Sequence, residues 1–139
     1  MMVDRSRKSV EEVIRKDGRY PVEAYAFLHE GLNRAVAEVH GPEAAMAPPA
    51  EGQERTRHVT GVQLCKALRD LSIERWGLLV RTVLDRWNIH ATIDFGHMVY
   101  LLVDNDLMRK TEEDSVEDFR DVYAFDQAFN VKVDAEIKE

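Results

Sequence analysis

The sequence is short of most features that announce a chemistry. Cys65 is its one cysteine in 139 residues, so no internal disulfide can form and no cluster of thiolates can hold zinc. The longest apolar run of note, Met98 to Val103, falls far short of the ~20 residues that span a bilayer. The opening "MMVDRSRKSVEEV" has no apolar segment behind its basic residues, so no secretory signal is expected there. A reduced, cytoplasmic setting is the simplest expectation. The stretch "GPEAAMAPPAEGQE" lacks the GK[ST] ending of a phosphate-binding loop.

Basic charge is scarce where acid is dense. The formal net charge is -7, with nine acidic and three basic residues between Asp104 and Asp126. From Gly61 to His90 the balance reverses to five basic and three acidic. Nucleic-acid binding draws most of its affinity from Lys and Arg against phosphates, so the C-terminal third is a poor candidate for it. A basic partner, or water, is the natural neighbour of that acid.

What is present is a globular mixture, 45% hydrophobic and 32% charged, in a chain of one-domain length. A domain of this size buries roughly two-thirds of its unfolded surface. A single domain over 1–139 is expected, interrupted at 42–57, "PEAAMAPPAEGQERTR", by a flexible linker or surface loop. There Pro48-Pro49 and Gly52 forbid a continuous helix.

Elsewhere apolar residues recur at helical spacing. "SVEE" predicts a short helix from Ser9, capped by Ser9 and Glu12 and ended by Gly18. Pro21 opens a second, with Val22, Ala26, Leu28, Leu32, Ala35, Val36 and Val39 as its stripe and Gly41-Pro42 as its stop. Gly31 inside it costs about 1 kcal/mol against alanine, a sign of close packing. Thr60 and Gln63 form a capping box before Leu64, Cys65, Leu68, Leu71 and Trp76. Leu79, Val80, Val83, Leu84 and Trp87 continue the pattern, with Gly77 either separating two helices or sitting in one bent helix. Thr92 is expected to cap a helix carrying Phe95, Met98, Val99 and Leu102. Ser115 and Asp118 are expected to cap a last one, with Phe119, Val122 and Tyr123 inward. The fold class is therefore mostly α, a compact bundle of about five or six helices. The order of elements also fits a winged helix in the C-terminal half, with "LMRKT" entering a short wing strand and "VYAF" pairing with it as a β-hairpin.

Two stretches, "ERWGLLVRTVLDRW" (Glu74 to Trp87) and "DFRDVYAFDQAF" (Asp118 to Phe129), carry a resemblance. Over residues 20–130 the chain resembles a family of small bacterial proteins with no assigned function. The resemblance implies a free-standing domain and supplies no activity, cofactor or site residue.

"DNDLMRKTEEDS" from Asp104 fails as an EF-hand loop, because Met108 and Arg109 take its fifth and sixth positions and Ser115 its twelfth. Asp114, Glu117, Asp118 and Asp121 would neighbour one another on a final helix, and a metal-dependent or acid–base enzyme could draw on them together with Asp94 and His97. Acids at a helix N-terminus are also what a solvated helix carries. No histidine pair has the spacing of a helical zinc site; "HEGLN" at His29 is not HExxH. Cys65, on an apolar stripe, reads as a small buried hydrophobe. A winged-helix nucleic-acid binder would use Arg69, Arg75 and Arg81, yet its recognition helix "TIDFGHMVYLL" has no Lys or Arg. The preferred expectation is a non-enzymatic interaction or regulatory domain without cofactor or metal. It would bind a protein partner or its own copy, not nucleic acid or membrane. Its contact residues would be Phe119, Tyr123, Phe125 and Phe129, rimmed by Asp118 and Asp121.

Overall fold

A computed structural model describes residues 2–3, 7–46 and 57–130 and shows a mostly helical molecule. The helices are α1 (Arg7–Asp17), α2 (Val22–His40), α3 (Pro42–Met46), α4 (Gly61–Trp76), α5 (Val80–Arg86), α6 (Thr92–Asp104) and α7 (Phe125–Ala128). Two strands of two residues each, β1 (Met2–Val3) and β2 (Met108–Arg109), complete it with 3-10 turns at Gly77–Leu79 and Val116–Phe119. Among the described residues no helix is long and apolar enough to cross a membrane.

The packed centre is the pair α2 and α4. Gly31 is the reason they approach so closely: a Cβ there would lie 2.1 Å from Cδ2 of Leu68. Ala24, Phe27, Leu28, Leu32, Ala35 and Val36 face inward from α2, against Leu64, Cys65, Ala67 and Leu68 of α4. Two members of the expected α2 stripe do not join them, since Ala26 and Val39 are exposed. Their places are taken by Ala24, Tyr25 and Phe27, one helical position around. Around the edge, α2 and α4 are laced by ion pairs. Arg34 reaches Glu74 at 2.6 Å and Glu38 at 3.3 Å, and Arg75 meets Glu30. The Arg34–Glu38 pair lies within α2, and the Arg34–Glu74 and Arg75–Glu30 pairs cross between the two helices. Exposed pairs of this kind contribute about 0–1 kcal/mol each.

The caps explain where the elements start. Thr60 Oγ1 accepts from Gln63 N at 3.1 Å and Gln63 Oε1 accepts from Thr60 N at 2.9 Å, the reciprocal box expected for α4. α1 begins two residues before the expected cap Ser9. Gly77, at φ +52°, ends α4 by the left-handed conformation that favours glycine, so the Gly77 question resolves as two helices with a 3-10 turn between them. Residues 42–46, the start of the expected linker, form the short α3, whose Ala44 and Ala45 pack partly on the core. Residues 47–56 lie outside the described residues.

The winged-helix hairpin is not formed. β2 falls in "LMRKT" as expected, but its partner is β1, antiparallel, with Met2 opposite Arg109 and Val3 opposite Met108. Residues 122–125 make no strand; they lead from a turn into α7. Between β2 and this segment Asp114 and Asp118 accept from the backbone of Thr111 and Ser115 in tight turns.

Candidate functional site

The acidic stretch comes first, because the expected contact residues lie there. The final helix is replaced by a 3-10 turn, a bend and the four-residue α7. Local side-chain bonds favour this outcome over a helix. Ser115 Oγ accepts from Glu117 N at 3.2 Å, and Asp118 Oδ2 accepts from Ser115 N at 3.0 Å. Asp121 sits at φ +51°, which turns the chain. Asp114, Glu117, Asp118 and Asp121 therefore do not share a helix face. Glu117 is clasped by Arg120 through bonds of 2.7 and 3.1 Å.

Phe119 lies inward, as its spacing predicts, and Phe125 and Phe129, expected to be free for contact, are inside as well. Phe119 is 1% exposed, and Phe125 and Phe129 are 6% exposed each. Phe119 is wedged between two helices at positions that only glycine leaves open. A Cβ on Gly61 would come within 2.9 Å of its ring, and one on Gly96 within 2.8 Å of its Cβ. Phe125 and Phe129 meet edge to face at 5.1 Å, and Phe125 lies 6.3 Å from Phe95 of α6. Tyr123 is half-buried; its hydroxyl donates to the Cys65 carbonyl at 2.7 Å, and its ring sits 5.9 Å beneath the Arg69 guanidinium. Burial raises the Tyr123 phenol well above its ordinary range. The likeness of this segment to an exposed patch came from the charges between the rings. Their aromatic spacing serves α4 and α6 instead.

Asp94 and His97 do not converge on a common point with those acids. Asp94 Oδ1 accepts from the Tyr20 hydroxyl at 2.6 Å, and Oδ2 from the backbone of His90 at 2.7 Å and Ala91 at 3.1 Å. Asp94 is the third residue of α6 and reaches back to the amide of the N-cap residue Ala91, while Thr92, the expected cap, lies inside the helix. Thr92 instead turns inward, donating to the Phe119 carbonyl at 2.6 Å and accepting from Val122 N at 3.1 Å. His97 is half-buried on α6. Among the described residues no three His, Cys, Asp or Glu side chains are grouped to hold a metal ion. Burial pushes the Cys65 thiol up to about 12, so it is not a ready nucleophile at neutral pH.

One carboxylate was passed over as a single residue in sequence reasoning. Asp114, its side chain 7% exposed, receives His58 Nε2 at 2.9 and 3.0 Å and the Thr111 amide at 2.9 Å. Burial works to raise its pKa, but the Thr111 and His58 hydrogen bonds outweigh this and hold it below the usual carboxylate range. The pair joins the lead-in to α4 with the loop after β2. Nearby, burial and the charges of Asp114, Asp118 and Asp104 push the Tyr100 phenol up to about 12. No signal short of the fold joins residues 58 and 114, which are 56 positions apart.

Two adjacent exposed apolar side chains lie elsewhere, at the corner between α4 and α5, apart from the scattered Val39, Met46 and Val62. Leu78 is 50% and Leu79 61% exposed. Leu79 was expected on the inward stripe with Val80. The 3-10 turn opened by Gly77 shifts the phase, so that Val80 and Leu84 face in and Leu79 faces out. On either side in sequence stand Trp76 and Trp87, both half-buried, 5.4 Å apart and T-shaped, with Phe27 behind them at 5.0 and 5.8 Å. Of the arginines expected as a nucleic-acid surface, Arg69 is joined to Asp70 and Arg75 to Glu30, which leaves Arg81. The described chain was compared with family models, with curated proteins and with solved structures, and none of them matches it.

Proposed function

We propose that the protein is an interaction domain that acts through protein–protein contacts made at the corner between α4 and α5. The observation that carries this reading is the pair Leu78 and Leu79, side by side on the surface next to two half-buried tryptophans. Exposed leucines held on a rigid turn gain roughly 25 cal/mol for each Å² of apolar area that a partner covers. Tryptophan rings with one face packed add anchor area at small conformational cost. In the segment 118–129 the rings Phe119, Phe125 and Phe129 are buried, and its exposed acids are available as a charged rim.

The test is affinity capture from native extract with the full chain and with Leu78→Ser/Leu79→Ser. The reading expects a protein recovered by the first and lost by the second, with nuclease treatment making no difference. Equal recovery by both chains would remove this corner as the contact surface. Recovery that nuclease abolishes would replace a protein partner with nucleic acid.

A further inference from the structure

We propose that α1 is a strap, which lifts from α2 and α6 as a unit while the centre of the molecule stays folded. α1 lies against those two helices, yet of its residues 10–17 Ile14 alone is buried, with Val10 and Val13 partly so. Among the described residues, no side chain of 10–17 forms an ion pair or hydrogen bond with another element. Arg15 pairs with Glu11 of the same helix, and Asp17 accepts from the Arg19 amide beside it. One isoleucine is therefore the main anchor. Upstream, β1 offers only two paired residues. Downstream, Gly18 at φ +70° gives the chain a glycine hinge where α1 ends.

A second observation makes the closed position costly. Tyr25 of α2 is 6% exposed, and its hydroxyl is shut off from solvent with no hydrogen-bond partner among the described residues. Burial raises its phenol above the ordinary range, the charge of Asp17 adds to this, and that of Arg19 opposes it. Both charges stand at the C-terminal end of α1, so the hydroxyl lies on that side of α2. Tyr20, packed T-shaped against Tyr25 at 6.4 Å, is satisfied instead, since it donates to Asp94 at 2.6 Å.

A donor buried without a partner destabilises the state that buries it. Lifting α1 returns the Tyr25 hydroxyl to water, which offsets part of the loss at Ile14. Segments anchored by few apolar contacts open well below the free energy of global unfolding. α1 has eleven residues, and a released helix shorter than ~12–15 residues does not hold in water. Its amides therefore exchange whenever the strap lifts.

Native-state hydrogen exchange of the full chain tests this on wild type, Ile14→Ala, Tyr25→Phe and Leu68→Val, with far-UV circular dichroism checking that each is folded. In wild type the α1 amides should exchange at least ~100-fold faster, after correction for intrinsic rates, than those of α4. Ile14→Ala should speed α1 exchange at least ~10-fold. Tyr25→Phe should slow it at least ~5-fold, because the closed state no longer holds an unmet donor. Leu68→Val, a mild truncation in the α2–α4 centre, should speed α4 exchange and leave α1 unchanged. Wild-type α1 amides as slow as those of α4, or a Leu68→Val chain in which both speed up alike, would show that α1 opens only with the whole fold and overturn the proposal. So would a Tyr25→Phe chain whose α1 exchange is unchanged or faster, since the hydroxyl would then carry no cost that α1 imposes.

Discussion

The hydroxyl of Thr92 donates to the carbonyl of Phe119 at 2.6 Å and accepts from the amide of Val122 at 3.1 Å, while Thr92 itself is 0% exposed. One buried oxygen thus satisfies a donor and an acceptor of a segment that would otherwise lack regular pairing. Thr92→Val keeps the shape and removes both bonds. It should cost about 1–3 kcal/mol, the penalty for buried polar groups left unmatched, read as a lower urea midpoint. Thr92→Ser should recover most of it. Equal midpoints for Val and wild type would show that water reaches these groups.

The seat of Phe119 gives a second prediction. Gly96→Ala places a methyl group within 2.8 Å of the Phe119 Cβ, and Gly61→Ala places one within 2.9 Å of its ring. The Cβ is fixed to the backbone and cannot swing away, whereas a ring edge can tilt. Gly96→Ala should therefore be the worse of the two, within the ~1–3 kcal/mol typical of overpacking. Thermal melting of the two variants orders them, and a milder Gly96→Ala would contradict the wedge.

How much of this was legible in advance depends on the range of the interaction. Gly41 as a stop, the Thr60–Gln63 box and the Ser115–Asp118 box are local, and sequence spacing reports them directly. The close approach at Gly31 was also legible, since a glycine inside an amphipathic helix calls for a reason. The inward turn of Thr92 was not, because its partners are 27 and 30 residues away. The burial of Phe125 and Phe129 was hidden for a related reason. Helical periodicity cannot describe a segment whose serine and aspartates cap turns against their own backbone. Leu79 was misplaced by a phase shift that Gly77 introduces and that a continuous stripe conceals.

Asp114 makes a prediction about acid. Its carboxyl is held below the usual range in the folded chain, so the unfolded state binds the proton more readily. Its contribution is therefore fully present above the unfolded value, about 4, and is lost as pH falls through the folded one. Asp114→Asn should destabilise the protein at pH 7 by about 1.5–3 kcal/mol, as for hydrogen bonds to a charged group. The gap to wild type should narrow steadily below pH ~4. Urea unfolding at pH 7, 5 and 3 checks this; a gap that widens toward pH 3 would reverse the assigned sign.

The central claim is a division of labour: the aromatic rings at the C-terminal end of the described chain hold the fold, and the leucines beside Gly77 are free to make contacts. The most direct measurement is urea denaturation of Phe125→Ala alongside Leu78→Ser/Leu79→Ser. The account predicts a loss of about 3–5 kcal/mol for the phenylalanine and a change within ~0.5 kcal/mol per site for the exposed leucines. A Phe125→Ala protein as stable as wild type, beside a leucine variant that unfolds readily, would contradict it.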